Sequence, residues 1–151
     1  MERAFIEENR RSRQRLTELA NRLTDQDLWS LVVGDWSVGA ILAHLAFWDY
    51  RALVLVRRWK ESGIGPSQID IDGVNDAMLP LLGAISPRDA ANLAISAAET
   101  IDRELEQAPD DLIAGIEALG SKFRLKRSEH RQEHLDEIEH ALGDGEQSDP
   151  K

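Results

Sequence analysis

The sequence lacks cysteine, and it also lacks any apolar run that we expect to cross a bilayer. Without cysteine there is no disulfide, no thiolate nucleophile and no sulfur-rich zinc site, so a bound metal must have nitrogen and oxygen ligands. The first 16 residues also lack the apolar segment that a secretory signal requires. These absences predict a soluble, cytoplasmic protein that has no membrane partner.

Positive charge is scarce relative to negative charge. The chain carries 18 lysine and arginine residues against 28 aspartate and glutamate residues, a formal net charge of -10. Because this surface repels a phosphate backbone, nucleic acid is not expected as a partner. The length of 151 residues fits one domain. We expect residues 1–142 to form that domain and residues 143–151 to be a disordered tail.

Apolar residues recur mainly at helical spacing, and no strand-like alternation is long enough to anchor a sheet. The pattern predicts long helices over residues 2–23, 38–61, 87–107 and 123–142, and a short crossover helix over 73–83 that contains a proline. The inward face of the third long helix is rich in alanine, which indicates either close helix packing or a cavity. The fold class is therefore all-α, a four-helix bundle.

Two groups of polar residues leave alternatives open. Asn9 and Ser12 interrupt the apolar face of the first helix, and they either face a site or mark a wet end of the bundle. A local basic patch either attracts an anionic substrate or only balances an acidic chain, and we favour solvated side chains. This patch consists of Lys122, Arg124, Lys126, Arg127 and Arg131.

Three histidines suggest a metal site. His44 lies within the apolar face of the second long helix, where by itself it is best explained as a core histidine bonded to a neighbour. His130 and His134 are four residues apart, so their rings stack on one helix face roughly 6 Å apart and can converge on one ion. Arg131 occupies the position where a zincin has its glutamate, which excludes that class.

The other charged groups near this pair are ambiguous or excluded. Glu137 is three residues after His134 and suits a fourth ligand, a general base or a solvated side chain, of which we favour the last. His140 lies away from the pair and is left out of the site. Three inward histidines leave open coordination positions, as in a catalytic metal site. Imidazole suits Zn, Ni, Co, Mn and Fe, so these ligands do not choose the metal.

Several segments, taken in order, resemble the DinB/YfiT-like family: Trp36-Ser37-Val38 leading into Ala40-Ile-Leu-Ala-His44, Asp72-Gly-Val-Asn75, and His130-Arg-Gln-Glu-His134. The resemblance spans nearly the whole chain. It implies an up-down-down-up bundle with a crossover helix, often homodimeric. It also implies a divalent metal on a histidine triad that corresponds here to His44, His130 and His134.

Members of this family include thiol-dependent transferases and isomerases that use bacillithiol or mycothiol, and others that detoxify a reactive small molecule. The resemblance therefore implies a metal-dependent enzyme acting on a small-molecule substrate, with a low-molecular-weight thiol as one option. A metal-assisted hydrolase that needs no thiol is an alternative. A non-catalytic dimeric bundle that binds a ligand is another. Catalytic residues, reaction type and native metal stay open.

Overall fold

The computed structural model describes residues 2–67 and 69–147, with side chains described as far as residue 143. In this part of the chain, four long helices are joined by short helices and one small hairpin. In chain order the elements are α1 (Phe5–Arg22), α2 (Asp25–Trp29), β1 (Leu31–Val33), β2 (Trp36–Ser37), α3 (Val38–Ser62), α4 (Ile71–Leu82), α5 (Pro87–Gln107), α6 (Asp110–Glu117), a 3-10 turn (Gly120–Lys122) and α7 (Arg127–Gln147).

The two central helices, α3 and α5, run parallel to each other. They meet where both begin, since a Cβ added to Gly39 would lie 2.9 Å from Cβ of Pro87. Near their ends, Arg57 of α3 bonds Glu104 of α5 at 3.2 Å. The long connection that contains α4 carries the chain back to make this parallel pairing possible.

The outer pair, α1 and α7, is also parallel, because Asn9 accepts a hydrogen bond from the amide of Ser128 and Arg22 bonds Glu139 further along. Helix α1 is antiparallel to α5, since Arg3, just before the start of α1, donates to the carbonyl of Leu105 near the end of α5. The directions are therefore up, down, down and up, which confirms the predicted all-α bundle.

Local sequence explains where the central helices begin and how closely they pack. The hydroxyl of Ser37 accepts a hydrogen bond from the amide of Ala40 at 3.1 Å and caps α3, as predicted. Pro87 takes the first position of α5, where its missing N–H costs nothing. The alanines on the inner face of α5 are all buried, so close packing and not a cavity explains them: Ala90, Ala91, Ala94, Ala97 and Ala98.

Three details differ from the sequence predictions. The hairpin of β1 and β2 was not expected, because strands of three and two residues are too short to show an alternating pattern. Helix α7 begins at Arg127, later than predicted, and continues past its predicted end to Gln147. It continues because adding a residue to an existing helix is easier than starting one. Residues 143–147 of the predicted disordered tail are thus helical, and residues 148–151 lie outside the described residues.

The third difference concerns helix α3 and the expectation that no segment could cross a membrane. Its length and apolar composition are sufficient to cross a membrane, contrary to the expectation that no segment would be. Most of its residues are buried inside the bundle, however, as in the core helix of a soluble protein. The apolar composition of α3 is therefore explained by the core.

Candidate metal centre

The antiparallel packing of α3 and α7 brings the three predicted histidines together. Nε2 of His44 and Nε2 of His130 are 3.1 Å apart. One ring nitrogen from each of His44, His130 and His134 lies within 4.8 Å of the other two. Two helices thus supply one donor cluster, with His130 and His134 on successive turns of α7 and His44 opposite them.

The ring nitrogens of His44 and His130 are spaced as two ligands of one ion would be, and the nitrogen of His134 lies within 4.8 Å of both. Two nitrogens bound to a tetrahedral zinc ion are about 3.3 Å apart, because each Zn–N bond is roughly 2.0 to 2.1 Å long. The separation of 3.1 Å between His44 and His130 is close to that value. Within the described part of the chain, Nδ1 of His44 is buried without a hydrogen-bond partner, and functional sites are where such groups occur. The residues fit a divalent metal ion.

The protonation of the buried histidines also suits metal binding. Burial lowers the pKa of His44 to about 4, and the neighbouring His134 lowers it as well. Burial also lowers the pKa of His130 to about 2, again assisted by His134 and by His44. Both rings are therefore neutral at pH 7, the form in which imidazole binds a metal.

The carboxylate of Glu137 fixes the orientation of His134. Its Oε1 lies 2.6 Å from Nδ1 of His134. Because an ionised carboxylate only accepts hydrogen bonds, Nδ1 carries the proton and Nε2 is left as the metal-binding nitrogen. The sequence interpretation favoured a solvated Glu137, although its i+3 position relative to His134 was the signal for this contact.

A cavity of ≈ 270 Å³ opens beside the histidines. Helix α4 forms one wall, and a hydrogen bond of 3.0 Å from Trp48 Nε1 to Asn75 Oδ1 ties α4 to α3. The hairpin and α3 contribute an apolar wall. The residues that line the cavity are Val33, Trp36, Ile41, His44, Asp72, Asn75, Asp76, His134 and Glu137.

Comparison with protein families decides the relationship that the motifs suggested. A family model described as the DinB superfamily matches residues 8–141. The chain belongs to the DinB superfamily. The match covers the four long helices almost completely and contains all three clustered histidines. In comparisons with curated proteins and with solved structures, nothing matches this chain.

In this DinB-superfamily protein, Arg131 forms a buried charge network beside the histidines. Its guanidinium is 2.8 Å from Asp102 and 3.2 Å from Asp49, and all three side chains are almost fully buried. Although burial favours the neutral form, Asp49 and Asp102 outweigh it and raise the pKa of Arg131. Arg131 also bonds the hydroxyl of Ser12 and the carbonyl of Asn9.

This network corrects two expectations from the sequence. Arg131 is 1% exposed, so it is not a solvated member of a basic patch. Arg127 leaves the patch too, because it bonds Asp49 at 2.9 Å and its side chain is mostly buried. Asn9 and Ser12 neither face the cavity nor mark a wet end, since both are buried partners of the network. These bonds join α7 to α1, α3 and α5 and thereby set the register of the histidines.

A Glu137→Gln variant of this DinB-superfamily protein is expected to bind metal about 10- to 100-fold more weakly, because the amide holds the ring of His134 less firmly than the carboxylate does. The dissociation constant for Zn²⁺ is measured by competition with a chromogenic chelator. Glu133→Gln is the matched control, since Glu133 is exposed on the same helix and does not line the cavity. Equal affinities of the two variants would show that Glu137 does not orient His134.

Proposed function

We propose that this protein is a metal-dependent enzyme that acts on a small molecule at the three-histidine cluster. The observation that carries the proposal is the cluster itself: three ring nitrogens within 4.8 Å of one another, beside a cavity of ≈ 270 Å³. Three protein ligands leave coordination positions for a substrate, as is typical of catalytic sites, whereas structural sites are closed. The cavity gives a small molecule access to those positions.

Each part of the site has a distinct task under this proposal. A divalent ion held by His44, His130 and His134 supplies Lewis acidity to the reacting group. Glu137 holds His134 in the orientation that binds the ion, and Val33, Trp36 and Ile41 offer an apolar wall to the substrate. The ligand set is compatible with Zn, Ni, Mn, Co and Fe.

Two reaction classes fit this arrangement. In a thiol-dependent transfer or isomerisation, the thiol must be a low-molecular-weight co-substrate, since the chain has no cysteine. In a metal-assisted hydrolysis, water is the nucleophile and no thiol is needed. A non-catalytic bundle that binds a ligand is the alternative outside the enzymes.

We also propose the partners, the location and the oligomeric state of the protein. A net charge of -10 supports the absence of a nucleic-acid partner, and the burial of α3 supports the absence of a membrane partner. A cytoplasmic location is likewise a proposal. The homodimer rests on the family resemblance alone, and sedimentation at micromolar concentration tests it directly.

The test of function is an activity screen on protein loaded with each of the five metals. One set of assays offers an aromatic chloride electrophile with or without bacillithiol, mycothiol or glutathione, and the other offers activated esters without thiol. We expect turnover that falls about 100-fold or more in His130→Ala. His140→Ala is the control, because His140 lies outside the cluster.

The screen separates the candidates. Turnover that requires a thiol identifies the transferase class, and turnover without a thiol identifies the hydrolase class. If protein that binds metal tightly shows no His130-dependent turnover in either set of assays, the enzyme proposal is wrong. The ligand-binding bundle then takes its place.

A further inference from the structure

We propose that the cavity beside the histidines selects a small molecule that carries a positively charged amine or ammonium group, and that Asp72 and Asp76 bind this group. The inference rests on the proposed function and names the substrate class of the same site. The reacting part of the substrate would face the histidines, and its cationic part would face α4.

The charges that line the cavity are of one sign. Asp72, Asp76 and Glu137 contribute carboxylates, and neither lysine nor arginine contributes to the lining. Glu137 is already bonded to His134, whereas Asp72 and Asp76 belong to the opposite wall. The three carboxylates exceed the two positive charges of a divalent ion bound by the histidines, so the metal-loaded cavity stays negative. A cleft with an excess of one sign of charge concentrates ligands of the opposite sign.

Asp72 and Asp76 are not engaged by the protein. Within residues 2–67 and 69–147, neither carboxylate takes part in a hydrogen bond or an ion pair. They lie one turn apart on α4, where like charges repel each other and destabilise the helix. A cation bound between the two carboxylates would relieve that repulsion.

The basic residues of the neighbourhood do not neutralise these carboxylates. The sequence contains no lysine, arginine or histidine between Lys60 and Arg88. On α3, Arg51 donates to Ser67 and lies over the ring of Trp48. Arg127 and Arg131 are both paired with Asp49. The negative potential of the α4 wall is therefore available to a ligand.

An aromatic side chain of the cavity adds to the preference for a cation. The ring of Trp36 lines the cavity, 5.5 Å from the ring of His44. Aromatic faces attract organic cations, so the ring of Trp36 reinforces the preference set by the carboxylates.

The test uses three small thiols that differ in charge: cysteamine is cationic, 2-mercaptoethanol is neutral and 3-mercaptopropionate is anionic. Each is titrated into protein loaded with Co²⁺, and binding is followed by the near-ultraviolet sulfur-to-cobalt charge-transfer band. Because the chain has no cysteine, any such band comes from the added thiol. Elemental analysis and the visible cobalt spectrum report separately whether the metal is bound.

The quantity that decides is the ratio of the affinities for cysteamine and 3-mercaptopropionate, compared between variants so that differences in thiol acidity cancel. We expect the Asp72→Asn, Asp76→Asn double variant to lower this ratio about tenfold. The Glu61→Gln, Glu117→Gln double variant is the control, since it removes the same charge from exposed positions that do not line the cavity. It should leave the ratio unchanged.

The outcomes distinguish this inference from the proposed function. If cobalt is not bound, the proposed function fails and the inference fails with it. If cobalt is bound but no thiol produces a band, or if both double variants change the ratio equally, the metal site stands and the inference is overturned. Loss of preference in the Asp72→Asn, Asp76→Asn variant alone, with its helical circular dichroism intact, supports it.

Discussion

Replacement of Arg131 by methionine is expected to destabilise the metal-free protein by about 3 kcal/mol. The substitution leaves Asp49 and Asp102 buried without their shared cation. Arg127 still bonds Asp49 and Arg13 still bonds Asp102, which keeps the loss near the lower end of the range for a broken buried ion pair. Urea unfolding followed by circular dichroism measures the difference.

A matched surface variant shows whether this effect comes from burial. Arg10 pairs with Glu7 on the exposed face of α1, so Arg10→Met should leave the free energy of unfolding almost unchanged. Adding Asp49→Asn and Asp102→Asn to the Arg131→Met variant should recover part of the lost stability, because each buried carboxylate has lost one of its two arginine partners and the amide carries no charge. Equal free energies of unfolding for Arg131→Met and Arg10→Met would contradict the account of the network.

The long helices could be predicted because their signal lies within each helix. Apolar residues repeat at helical spacing, and Ser37 and Pro87 mark where α3 and α5 begin. The small hairpin carried no such signal, since β1 and β2 are shorter than one period of a recognisable pattern. Its formation depends on contacts with α3 and α7, which local sequence does not encode.

The histidine cluster could be predicted in part. The spacing of His130 and His134 placed two rings on one face, and the apolar setting of His44 placed it inside. The separation of 3.1 Å between His44 and His130 depends on the register of α3 against α7, which no single helix specifies. Arg131 sets that register, but the sequence analysis expected Arg131 to be solvated because it is charged.

A pattern that reveals the buried arginine was nevertheless present. Arg131 precedes the buried Leu135 and Ile138 by four and seven residues, so it lies on the inward face of α7. Asn9 and Ser12 have the same relation to Leu16 on α1. Polar residues on the inward faces of two helices predict a buried network only when their partners are known. The partners Asp49 and Asp102 belong to helices far away in sequence, so the sequence pattern did not reveal the network.

The second large effect concerns the metal itself. Changing any one of His44, His130 or His134 to alanine should abolish stable metal binding, because two imidazoles remain and each ligand contributes a large share of the affinity. The unmodified protein should in turn unfold at a higher temperature when metal is present, since metal binds the folded state preferentially. His140→Ala should behave like the unmodified protein.

The most direct measurement is elemental analysis of the protein purified without an affinity tag or chelator, alongside the three alanine variants and His140→Ala. The account predicts about one divalent ion per chain in the unmodified protein and in His140→Ala, and a loss of that ion in each of the other three. Absence of metal from every sample, together with no tight uptake of Zn, Ni, Mn, Co or Fe, would contradict the existence of the site.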